Sequence, residues 1–202
     1  MPWFSYHGGH SGQFCRHAKG QLADVVARAA AAGFTTYGLS EHCARNRLED
    51  RYPDELDLSP ADLHRMFADY VATASRLADE WHDRLEVLVG FETEVLPPAS
   101  WAAAMDELRA SLPRCDYIIG SVHHVSGICI DCTPKMTAEV AELVGGRAAL
   151  EVAYFELVAQ VADTLRPEVV GHLDLIRKFD GPSYRLSAAA QPAIERALEA
   201  VR

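Results

Sequence analysis

Leu85-Glu-Val-Leu-Val-Gly-Phe-Glu92-Thr-Glu94 is a short apolar run that ends in two carboxylates. Such a run reads as a buried strand, and Glu92 and Glu94, two residues apart, share one face at its carboxyl end. The same design recurs on both sides. Upstream, Thr35 to Leu39 ends in Ser40-Glu41-His42, and Trp3 to His7 leads into a Gly/Ser/His loop that holds His10 and His17. Downstream, Asp116-Tyr-Ile-Ile-Gly-Ser-Val-His123-His124 is a fourth run, and Glu168-Val-Val-Gly-His172-Leu-Asp174 is a fifth. Helical patterns separate them: Gln21 to Ala32 stopped by Gly33, a helix opened by Ser59-Pro60 as N-cap and N1 and running to His82, Ser100 to Leu112, Thr137 to Leu165 with a break at Gly145-Gly146, and Ser187 to the terminus.

Regular βα alternation implies a parallel sheet, either open and doubly wound or closed as a barrel. The metal-type side chains choose between them. Each strand delivers histidine or carboxylate at its carboxyl end, and in a βα barrel those ends surround one axis. Five strand ends of an open sheet would spread over about 19 Å, at ~4.8 Å per strand, too wide for one small cluster. The expectation is therefore an α/β barrel in a single domain over residues 1–202.

The chain has 202 residues, 49% of them apolar and 24% charged, and a net charge of -10. That composition excludes disordered and disulfide-scaffold classes, and the acidity argues against a nucleic-acid partner. No apolar run is long enough for a bilayer and no signal-type leader opens the chain, so the expectation is a cytoplasmic protein without a membrane partner. Five cysteines, odd in number, suggest reduced thiols rather than bridges. Cys129-x-x-Cys132 has no second pair for a zinc ribbon, and its loop does not show the strand-to-helix setting of a redox motif. Gly8-Gly9 and Gly12 make no phosphate-binding loop.

Neutral imidazole and carboxylate together are ligands for zinc, iron or manganese, and several of each imply more than one ion. His64 and His82 lie in helices and are read as surface residues. His124 should point away from His123, as neighbours on a strand do. Glu94 is left as ligand or supporting group. Cys15 and Cys43 lie beside proposed ligands.

His10-Ser-Gly with His7 before it, Ser40-Glu41-His42, Gly90-Phe-Glu92, Gly120-Ser-Val-His123-His124 and Gly171-His172-Leu-Asp174-Leu-Ile-Arg-Lys-Phe179 resemble, in order, the motifs of the PHP (polymerase and histidinol phosphatase) superfamily, and most of all its monofunctional histidinol-phosphatase branch. The resemblance implies a distorted (βα)7 barrel, of which this chain would hold the first five βα units, and two or three divalent metal ions (Zn, Mn or Fe). It implies His7, His10, His17, His42, Glu92, His123 and His172 as metal ligands, with Glu92 bridging and Glu92 and His123 catalytic. Two departures stand out. Position 8 of the usual His-x-His is glycine, so His7 must serve through a bulge at Gly8-Gly9, and the family's last Asp-x-His motif is absent after Asp174.

The implied reaction is hydrolysis of a small phosphate monoester, L-histidinol phosphate to L-histidinol and phosphate, in histidine biosynthesis. Arg177 is the candidate phosphate-binding cation. The alternatives are a related phosphoesterase of other substrate, or an inactive fragment, since the chain stops at Ala200-Val-Arg202 in a helical pattern without a capping residue. Against a seven-stranded barrel, roughly 60 to 80 residues would be missing, at ~30 or more per βα unit. Oligomeric state is not legible.

Overall fold

The computed structural model describes residues 2–202. It forms two compact units, the first made of residues up to Thr93 with Glu107–Ile119, the second of Glu94–Asp106 with Gly120–Arg202. The first holds β1 (Trp3–Ser5), α1 (Leu22–Ala31), β2 (Phe34–His42), α2 (Pro60–Trp81) and β3 (Glu86–Glu92). α3 (Trp101–Ser111) and β4 (Tyr117–Gly120) supply residues to both. The second continues with β5 (His124–Val125), β6 (Ile128–Cys129), α4 (Pro134–Val144), α5 (Arg147–Leu165), β7 (Val169–Val170) and α6 (Gln191–Ala200).

Strands β1, β2, β3 and β4 lie side by side in chain order, all parallel, with Ser40 opposite Gly90 and Gly90 opposite Tyr117. In the second unit the Gly171 N–H donates to Gly120 O at 3.0 Å, and the ladder runs β1-β2-β3-β4-β7. A doubly wound sheet reverses its order at a switch point. No reversal occurs here, which is the order of a barrel arc.

Local signals account for most element ends. Ser59 accepts the Asp62 N–H at 3.2 Å while Asp62 accepts the Ser59 N–H at 2.8 Å, a capping box that starts α2 with Pro60 behind it. Gly145 (φ 100°) and Gly146 (φ 114°) separate α4 from α5, as expected. Three expectations need correction. The fourth run is not one strand to His124: β4 ends at Gly120, and His124–Val125 instead pairs antiparallel with Ile128–Cys129. Ser126 (φ 54°) and Gly127 (φ 79°) make that turn, and two left-handed residues are what a tight hairpin needs. α4 begins at Pro134 rather than Thr137, because Thr133 Oγ1 accepts the Met136 N–H at 3.1 Å. Finally, Cys129 and Cys132 are disulfide-bonded, so not all five thiols are reduced; Cys15, Cys43 and Cys115 are free.

The bulge expected at Gly8-Gly9 is also absent. β1 stops at Ser5, and its register against β2 slips earlier, between Trp3 and Phe4. Gly8 is glycine for lack of room: a Cβ there would lie 2.5 Å from Tyr37 Oη, which donates to the carbonyl of Gly8 itself. Gly8→His is therefore expected to destabilise the protein by about 1–3 kcal/mol, the usual cost of overpacking, and to add no metal ligand. Urea denaturation and the metal content of the purified variant test both halves.

Tyr117 knits the first unit together. Its hydroxyl donates to Tyr6 O at 2.8 Å and lies 3.2 Å from Leu39 O, while a Cβ on Gly90 would stand 2.5 Å from its ring. Burial pushes its pKa up, so it remains a donor at any working pH. Tyr117→Phe removes the donor to Tyr6 and Leu39 without changing ring volume, and should cost about 1–2 kcal/mol in the same denaturation assay.

Candidate metal centre

At the carboxyl ends of β2 and β3 in the first unit, one buried carboxylate gathers three imidazoles. Glu92, 1% exposed, has Oε2 at 3.4 Å from His7 Nε2, 3.4 Å from His10 Nε2 and 3.5 Å from His42 Nδ1. These contacts are long for charge-assisted hydrogen bonds, which run nearer 2.7–2.9 Å. They match something else: on a tetrahedral ion with bonds of 2.0–2.1 Å, neighbouring donor atoms stand about 3.3–3.4 Å apart. An N/O donor set of this kind fits zinc, iron or manganese. His17, exposed on the first loop, joins with its ring centroid 5.4 Å from that of His10 and 5.3 Å from that of His42. His10, His17 and His42 together could hold an ion.

Glu41 orients this group. It is buried and accepts the Ser11 N–H at 2.7 Å, the Ser11 hydroxyl at 3.2 Å and His10 Nδ1–H at 3.0 Å. A carboxylate on Nδ1 makes that nitrogen the donor, which leaves Nε2, the atom facing Glu92, as the position that takes either a proton or a metal ion. Burial works against protonation of His10, yet hydrogen bonds with Cys15, Glu41 and Glu92 outweigh it, and its pKa is pushed up to about 12. Burial likewise pushes the Cys15 thiol up, but hydrogen bonds from His10 and His17 bring it below its ordinary value. The two shifts are one interaction seen from both ends, since the charged forms of His10 and Cys15 each favour the other.

The second unit carries a similar arrangement. Glu94 Oε2 lies 3.2 Å from both His123 Nδ1 and His124 Nδ1, and all three residues are buried. His123 Nε2 then faces His172 Nε2 at 3.2 Å, again the spacing of two ligands on one ion. Tyr154 donates to His172 O at 3.1 Å and fixes the end of β7. The alternation argument for His124 does not apply, because His123 lies outside any strand and His124 opens β5. Arg177, on a single 3-10 turn (Leu175–Arg177), donates to Tyr184 O at 3.3 Å and has Asp174 at 3.9 Å.

Of the residues singled out from sequence, the structure groups His7, His10, His17, His42 and Glu92 in one unit, and His123 with His172 in the other. His64 on α2 and His82 just past its end stay apart, His64 bonded to Asn46 at 2.8 Å and His82 beside Asp83 at 3.0 Å. Sequence reasoning gave Glu41 and Ser11 no role of their own. The signal was available in Ser-Glu-His, where an acid beside a ligand is the usual partner of the other ring nitrogen of an imidazole.

The PHP domain family matches residues 7–202. The chain belongs to the PHP domain family. Among its relatives, this PHP chain is 42% identical to a Schizosaccharomyces pombe protein named probable histidinol-phosphatase, over 89% of this chain and 58% of that one. It is 28% identical to the histidinol-phosphatase of Saccharomyces cerevisiae, over 86% of this chain and 55% of that one. The PHP chain thus spans little more than half the length of these relatives. Its fold is also that of hisK from Listeria monocytogenes, with a TM-score of 0.77 and 20% identity over 96% of this chain and 77% of that one. The histidinol phosphate phosphatase of Lactococcus lactis, a complex with Zn, L-histidinol and phosphate, matches with a TM-score of 0.71 and 18% identity over 98% of this chain and 68% of that one. The distorted PHP-type barrel expected from the motifs is therefore the fold, here with five parallel strands.

Proposed function

We propose that this PHP chain carries the site of a metal-dependent phosphate monoester hydrolase that converts L-histidinol phosphate and water to L-histidinol and phosphate. The observation that carries the reading is the 3.4–3.5 Å distance of three imidazole nitrogens from Glu92 Oε2, each the spacing of one donor pair on an ion. The names of the relatives, and the zinc, histidinol and phosphate of the Lactococcus lactis protein, supply the substrate class.

His7, His10, His17, His42, Glu92, His123 and His172 would hold two or three divalent ions of the Zn, Mn or Fe class. When bound, the ions would supply Lewis-acid polarisation of the phosphoryl oxygens and neutralise their charge. The protein's own part is positioning. Glu41 and Glu94 hold Nδ1–H of His10 and His123, so each presents Nε2. Glu92 would supply negative charge beside a bound cation, and Arg177 would pair with phosphate oxygens. The proposal includes a cytoplasmic location and no nucleic-acid partner, which the net charge of -10 supports. Among the described residues no helix is long and apolar enough to cross a membrane.

The test is phosphate release from L-histidinol phosphate, nucleoside monophosphates and p-nitrophenyl phosphate after loading with Mn or Zn, with metal counted by mass spectrometry. Release from histidinol phosphate, lost on chelation and regained on reloading, is the expected result. Activity on nucleotides without activity on histidinol phosphate would overturn the substrate, and a chain that retains no metal would overturn the chemistry.

A further inference from the structure

Cys129 and Cys132 take no part in the site described above, yet they sit against it. Cys129 closes β6 and is 2% exposed, whereas Cys132 is partly exposed and immediately precedes Thr133, the N-cap of α4. Strand, Cys-x-x-Cys and helix therefore follow one another, the setting in which such pairs exchange with thiols. On the other side, Cys129 is the cross-strand partner of His124, and the Ile130 N–H donates to His123 O at 2.8 Å. The motif is thus tied to the backbone of both histidines that Glu94 holds, through Cys129 opposite His124 and through Ile130 bonded to His123.

We propose that Cys129–Cys132 is a thiol–disulfide exchange site for low-molecular-weight thiols and disulfides, and that its state shifts the backbone of His123 and His124. An external thiolate attacks Cys132 Sγ, the reachable sulfur. The S–S bond breaks, and its electron pair leaves on Cys129 Sγ, which takes up a proton. A second external thiolate then displaces Cys132 from the mixed disulfide, and Cys132 takes up a proton in turn. Two thiols are oxidised to one disulfide, and the protein gains two electrons and two protons.

The opened pair remains ready to re-close, because other bonds hold the loop. Thr137 Oγ1 donates to Ile130 O at 2.7 Å, and Lys178 Nζ pairs with Asp131 at 3.0 Å. What opening removes is the covalent tie between the end of β6 and the start of α4. The carbonyl of His123 accepts from the Ile130 N–H between them, so this segment is where the change is read.

The experiment equilibrates the folded, full chain with reduced and oxidised dithiothreitol, traps thiols by alkylation and counts them by mass. Five alkylated cysteines after reduction and three after oxidation, interconverting without unfolding, is the expected outcome. Histidine side-chain and amide NMR signals of His123 and His124 should differ between the two states, should not respond in Cys132→Ser, and should respond normally in Cys115→Ser. A pair that stays bonded until the protein unfolds overturns the exchange site, and signals that stay in place after opening overturn the coupling. The turnover arm rests on the proposed phosphatase reading, with a change of about fivefold or more expected between states, the lower end of ordinary coupling between sites. Moving signals without any turnover in either state would count against that phosphatase reading and leave the redox site supported.

Discussion

Glu92→Gln is expected to lower phosphate release by at least about 10²–10³-fold in kcat, the scale of losing one well-placed charge-stabilising group. The change is nearly isosteric, so the packing around a residue that is 1% exposed is kept. Its electrostatics are not. Oε2 now faces His7, His10 and His42 with a full share of negative charge; an amide offers either a neutral oxygen or two N–H donors aimed at imidazole lone pairs. Metal content should fall with activity, while circular dichroism and the denaturation midpoint should stay close to the parent, since a buried amide costs less to desolvate than a carboxylate. A variant that keeps metal and turnover refutes the bridging role.

Glu94→Ala should act on the other histidines by the same logic. One carboxylate oxygen serves His123 Nδ1 and His124 Nδ1, each at 3.2 Å, and alanine leaves both buried rings without that acceptor. Loss of such a supporting acid typically costs 10–100-fold in metal affinity or activity, and a buried unpaired donor a further ~1–3 kcal/mol of stability. Glu94→Gln keeps a carbonyl oxygen able to accept from a ring nitrogen and should recover part of the loss. Histidine ¹⁵N spectra check the cause directly: the fixed Nδ1–H form of His123 should give way to a tautomer mixture in Glu94→Ala. If both variants keep the parent tautomer and metal affinity, Glu94 does not orient this pair.

These two acids also mark where reading the chain stopped. Glu92, at the end of an apolar strand, was conspicuous. Glu41 and Glu94 were visible as acids near histidines, but their work depends on partners 31, 29 and 30 residues away. Periodicity reports which face a residue occupies, not which side chain stands across from it. Local chemistry was legible wherever the cause was local: Ser59-Pro60 starts α2, and Gly145-Gly146 separates two helices, because caps and left-handed turns are set by a few neighbouring residues. Ser126-Gly127 is equally local, yet it lay inside a stretch read as one strand running into a loop, so the hairpin that pairs His124 with Cys129 was missed.

By itself, the sequence determined a chain of alternating strands and helices, a parallel sheet, and histidines or carboxylates at every strand's carboxyl end. Those follow from residue type and spacing along one segment. Only the tertiary structure decided that the strands keep chain order, that Tyr37 bars a side chain at position 8, that Glu41 and Glu94 hold histidines rather than stand among them, and that Cys129 and Cys132 are joined. The first three depend on atoms far apart in sequence meeting at 2–4 Å, where hydrogen bonds and steric exclusion act; the last joins residues only three apart, through the way the end of β6 meets the start of α4.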